Sequence, residues 1–162
     1  MTEQLIVSEQ PEAITREVIA GALDQSYAQI SAPISKLSDP LSEVTDEGGW
    51  MVRQLLSHLI GALHRVPIHT GYFLSGAEPL PLQVDSEYWI SEWSTAPVQS
   101  FSLALDAAYP GVKATLPSIA SEDLQRLSET PFGELPLARL LLISVNGHIA
   151  RVHGEQFAAF TG

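Results

Sequence analysis

Residues 48–65 read GGWMVRQLLSHLIGALHR. After the glycines and Trp50, Val52, Leu55, Leu56, Leu59 and Leu63 recur three and four residues apart. Each residue of a helix advances about 100° around the axis, so these five share one face. A strand, with period two, would scatter them over both faces. The spacing predicts a helix from about Trp50, with Trp50 stapling its start rather than touching a ligand. Pro67 is expected to kink or interrupt that helix, which resumes through Tyr72 to Leu74. His58 lies at the margin of the leucine stripe, where a polar group needs a partner. Arg65 and His69 project onto the sector of His58, and His64 points toward solvent.

A second long periodic segment is expected from about Pro136 to about Phe160, with Pro136 suited to its start. Leu141, Leu142, Val145, Ile149 and Val152 form its apolar stripe. His148 and His153 flank that stripe about 140° apart in an ideal α-helix. Two ligands on one helix ordinarily stand three or four residues apart, because those side chains share a face. A spacing of five shares a face only where the helix is locally wide, as in a π-bulge. Without a bulge, one of the pair is a ligand or neither is. Glu155 shares the sector of His148, and Asn146 that of His153.

Two further helices complete the pattern. Ile14, Val18, Ala22, Leu23, Tyr27 and Ile30 predict a first helix from Pro11, ended or kinked by Pro33 near Ser31. Val98 to Leu116 predicts another, with Pro110 as a kink. Residues 1–10 read as a loose N-terminal arm, and residues 38–49 as a loop. Ser121 is a candidate N-cap for a short turn or helix. Tyr88, Trp89 and Trp93 read as a packing face. Few segments look like strands. The expectation is an all-α four-helix bundle with at least one long connection.

Composition bounds the function. A chain of 162 residues with 45% hydrophobic and 17% charged residues suits one folded domain. No apolar run is long enough to span a membrane, and the acidic N-terminus does not resemble a signal peptide, so a cytoplasmic protein is expected. The net charge of −11, with eight scattered Lys and Arg, argues against nucleic-acid partners. With no cysteine, a metal site must come from His, Asp and Glu, and any thiol must arrive with the substrate. An all-histidine site suits zinc, nickel or iron. There is no dinucleotide fingerprint, P-loop or nucleophile elbow, and HGEQF (residues 153–157) is not the His-Glu-x-x-His of zincins.

The Trp50-to-His58 stretch resembles the second-helix signature of the DinB/YfiT-like superfamily. VNGHIARVHGEQF (residues 145–157) resembles its last-helix motif, two histidines four apart followed by a Gln. The segment from Ser121 to Val145 is similar to the approach to that helix. The resemblance covers most of the chain and implies one DinB-like helical-bundle domain over residues 11–162. It also implies one divalent metal on three histidines. His58 matches the first ligand, and His153, with Gln156 three residues on, matches the last. Ile149 stands four before His153 and cannot bind metal, so His148 matches only with one extra residue accommodated. Related proteins include transferases and isomerases that use low-molecular-weight thiols. The resemblance further implies a stress-response setting and a possible homodimer.

Two functions follow as expectations. The first is a metal-dependent enzyme of thiol-transferase or hydrolase type acting on a small molecule. There His58, His148 and His153 hold the metal, Glu155 is a base, a hydrogen-bond partner of a ligand or a fourth ligand, and Arg65 grips an anionic substrate group. Arg65 reads more readily as an ordinary surface or ion-paired residue. The second is a bundle without catalysis, binding a small molecule or a protein, with a degenerate metal site.

Overall fold

The computed structural model describes residues 14–39, 49–76, 95–130 and 133–161. The expected arm (residues 1–10), the Pro11 helix start, most of the 38–49 loop and the Tyr88, Trp89 and Trp93 face lie outside the described residues.

Among the described residues, four long helices form the body of the fold. Helix α1 spans Arg16–Ile34 and α2 spans Val52–Leu74. Helix α3 spans Val98–Thr115 and runs into a 3₁₀ turn, Leu116–Ser118. Helix α4 is built of three successive segments: α-helical Leu137–Leu142, π-helical Ile143–His153 and α-helical Gly154–Thr161. Helix α1 packs mainly on α3 and α4, and α2 packs on those same two helices. Helices α1 and α2, the first two long helices among the described residues, therefore lie across a diagonal, as bundles with crossover connections require.

The apolar stripe of α2 is buried as its spacing predicts: Val52, Leu55, Leu56, Leu59 and Leu63 all lie in the core. The first helix departs from expectation at both ends. It begins at Arg16, because the Thr15 hydroxyl caps the Val18 N–H, and it runs through Pro33 to Ile34. Ile19, not Val18, joins the buried face with Ala22, Leu23 and Ile30. Pro67 and Pro110 also lie within continuous helices. A proline removes one backbone donor, and core contacts on both sides of it, such as Leu63, Val66 and Phe73 in α2, hold the helix through that loss.

Two end devices orient the helices that matter for the site. The Met51 N–H donates to Gln54 Oε1 at 2.9 Å, starting α2 seven residues before His58. The Asp39 carboxylate accepts the Val98 N–H at 2.7 Å, capping α3, and also faces the Arg53 guanidinium at 3.9 Å.

The segment before α4 corrects two expectations. The short helix Ser121–Leu124 is preceded by Ala120 at the cap position, so Ser121 is its first residue and not its N-cap. A two-stranded antiparallel hairpin follows, Leu127–Thr130 paired with Gly133–Pro136. Its strands are only four residues long and carry no clear alternation, so periodicity does not reveal them. Gly133 closes the turn with φ of 95°, a left-handed conformation natural to glycine. Arg126 ties the hairpin to α2, lying over the Phe73 ring at 4.6 Å and donating to the Phe73 carbonyl. No helix among the described residues is long and apolar enough to cross a membrane.

Candidate metal centre

His58 comes from α2, and His148 and His153 come from the π-helical segment of α4. In a π-helix the backbone bonds run from i to i+5, so residues five apart stack on one face. That geometry brings together two side chains that an α-helix would separate. His148 Nε2 lies 3.1 Å from His58 Nε2 and 3.2 Å from His153 Nε2. One ligand nitrogen from each of the three rings fits within a 4.8 Å cluster. The rings meet edge to face, with centroids 4.6 to 5.3 Å apart. The same wide turn displaces Val152, expected in the buried stripe. It is 46% exposed, and Ala150 and His153 are buried instead.

Protonation favours ligation. Burial pushes His58 down to about 3, reinforced by the nearby His153 and His148 rings. Burial likewise pushes His148 down to about 4, with His153 adding to it. His153 is lowered by burial, opposed by its hydrogen bond to Gln156. All three rings are therefore neutral at pH 7, the form that offers a lone pair to a metal. Gln156 Oε1 lies 2.7 Å from His153 Nδ1 and accepts a hydrogen bond from its N–H. That fixes the tautomer with the Nε2 lone pair facing the other two histidines. Trp50, expected only as a staple, also packs edge-on against the His58 ring, centroids 5.4 Å apart.

The donor set fits a divalent metal. Three neutral imidazole nitrogens converge from two helices, and separations of 3.1 and 3.2 Å suit bonds of about 2.0–2.1 Å to one tetrahedral ion. Glu155 and Arg65 are not among the clustered groups. Glu155 is exposed, because the wide turns end at His153 and the α-helix beyond carries it about 200° around the axis. Arg65 is half-buried on α2 beside His69, whose basicity falls through burial and the guanidinium charge. His64 is exposed, as its projection predicts. Gln156, noted in the sequence only as a motif neighbour of His153, is the residue whose role the structure adds. Its signal is the three-residue step from His153, which puts an amide beside the ring.

The buried histidines imply a pH dependence with a definite sign. Unfolded histidines take up protons near pH 6.5, whereas His58 and His148 do so only near pH 3 and 4. The unfolded chain thus binds more protons between those values, and stability present above pH 6.5 is lost as pH falls below it. Each of the two contributes a slope of about 1.4 kcal/mol per pH unit at most. Thermal unfolding of chelator-treated protein from pH 7.5 to 4.5 is expected to show this fall, and a His148→Asn variant a shallower one. Equal slopes would contradict it.

No protein-family model and no curated protein matches the sequence. Solved structures do. YfiT from Bacillus subtilis, described as a probable metal-dependent hydrolase with an unusual four-helix bundle topology, superposes with a TM-score of 0.69 at 18% identity. It covers 90% of this chain and 83% of its own. The colibactin self-resistance protein ClbS, solved in complex with a dsDNA, gives 0.73 at 10% identity over 91% of this chain and 95% of its own. An uncharacterised protein from Escherichia coli UTI89 gives 0.68 at 13% identity over 91% and 92%. The diagonal placement of α1 and α2, the three-histidine cluster and these superpositions agree: the chain has the DinB/YfiT-like four-helix-bundle fold.

Proposed function

We propose that this protein is a divalent-metal-dependent enzyme in which His58, His148 and His153 hold the metal. The convergence of their three Nε2 atoms carries the reading. A metal with three protein ligands and an open position supplies a lowered pKa for a bound water or thiol, the chemistry of a hydrolase or a thiol transferase. The chain's own groups do the rest. Gln156 holds His153 in the ligating tautomer, and Trp50 limits the rotation of His58. Without cysteine, the chain has no thiol of its own, so a thiol would be a low-molecular-weight co-substrate. Zinc, nickel and iron all suit the donors. The substrate is a small molecule, and the setting cytoplasmic. The dsDNA seen with ClbS belongs to that protein, and a net charge of −11 argues against the same partner here.

One observation favours the second reading, a non-catalytic bundle. Among the described residues, the cluster contains no carboxylate, and the Glu155 expected as a base is exposed. The test is turnover of a panel of esters, amides and electrophiles by zinc-, nickel- and iron-loaded protein, with and without low-molecular-weight thiols. Turnover that needs metal and disappears in His58→Ala supports the enzyme. Tight metal binding without turnover, together with unfolding on chelation, supports a structural site.

Gln156 has its own expected effect. Gln156→Ala is expected to weaken zinc binding by about 10–100-fold, and Gln156→Glu, which still accepts from Nδ1, to restore most of it. Competition with a chromophoric chelator reads both. Unchanged affinity in Gln156→Ala would remove the positioning role.

A further inference from the structure

The π-helical segment needs a cause, because its backbone hydrogen bonds are poorer than those of an α-helix. Val145 and Phe157 are both fully buried in the same core cluster. In a continuous α-helix, twelve residues would set them about 120° apart, and they could not both point to the middle of the core. If the segment absorbs one residue in wide turns, the separation falls to about 20°, and both face inward. The end of α4 packs along α1, where a Cβ added at Gly154 would just meet Ile30 Cδ1 at ordinary contact distance. The chain is thus anchored at Val145, near the start of the π-helical segment, and at Phe157, beyond its end, with one residue too many between them for an α-helix.

We infer that Phe157 is a positioning residue: its burial holds α4 in the π register and thereby brings His148 beside His153. In the α register those rings stand about 140° apart, and His148 lies about 40° from the direction of Val152 instead. The consequence for metal rests on the three-histidine reading above, whereas the register does not.

The absence of native cysteine allows a metal-free test. Two double variants, His148→Cys with His153→Cys and His148→Cys with Val152→Cys, are treated with a short bifunctional thiol reagent. The first pair is expected to bridge several-fold faster in the otherwise native chain. Adding Phe157→Ala is expected to reverse that preference, Phe157→Leu to keep it, and Phe101→Ala, an equal loss of volume on α3, to leave it untouched. In proteins with all histidines intact, Phe157→Ala is expected to weaken zinc binding by about 10–100-fold and Phe101→Ala to leave it near native. An unchanged bridging preference in Phe157→Ala, or a native preference for the pair four apart, overturns the inference. Bridging that follows Phe157 in a protein that binds no zinc supports the register role and defeats the metal reading. Should Phe157→Ala not fold, deletion of Val152 replaces it. With Phe157 anchored and the extra residue gone, cysteines replacing His148 and His153 are four apart and still bridge, and failure to bridge overturns the inference.

Discussion

Protein purified without a tag and incubated with zinc or nickel is expected to hold about one metal ion per chain, and His58→Ala is expected to lose it. His58 is the one ligand that α2 supplies, so its removal leaves two donors on α4 alone. A structural zinc site of four ligands is worth roughly 10–16 kcal/mol, so one ligand carries about 3 kcal/mol, a hundredfold or more in affinity. That exceeds the loss expected from Gln156→Ala, which disturbs only the orientation of a ligand. His64→Ala is the matched control, since His64 is an exposed histidine on the same helix. Elemental analysis of the three proteins decides the matter. Native protein without metal, or His58→Ala with a full complement, would refute the three-histidine centre.

The second large effect is on stability. Phe101→Ala is expected to cost about 3–5 kcal/mol, read as a lower denaturation midpoint at unchanged slope. Phe101 is fully buried on α3, the helix that packs most extensively on α2, and the Arg53 guanidinium stands 5.8 Å over its ring. Truncation therefore leaves a cavity and takes an aromatic face from a buried cation. Leu103→Ala, two residues away and 71% exposed, is expected to stay within about 0.5 kcal/mol of native. A similar cost for the two would mean that α3 does not pack on α2 through this face.

The helical faces were legible where burial is one-sided. The α2 stripe from Val52 to Leu63 is buried as its period predicts, because a 3.6-residue repeat of leucines has one stable use in water. Helix ends were less legible. Pro33 and Pro67 read as either stops or kinks and Pro110 as a kink, and each lies inside a helix, since packing outweighs one missing donor. The hairpin between Leu127 and Pro136 was missed because four-residue strands carry too little periodicity and are held by their surroundings, Arg126 against Phe73 among them.

The amino-acid order alone determined that this chain is a helical bundle without cysteine chemistry, and that a metal site on it must come from His, Asp and Glu. Those properties depend on residue type and local spacing. It also stated the condition for His148 and His153 to act together, a locally wide helix, but left that condition open. Whether it holds depends on where Val145, Ile149 and Phe157 find their core, which is a property of α4 against α1 and not of α4 by itself. The same holds for Glu155, which an ideal helix would place beside His148 and the real one turns to the surface. Helical register over a dozen residues is set by distant apolar anchors, and local periodicity cannot report where those anchors lie.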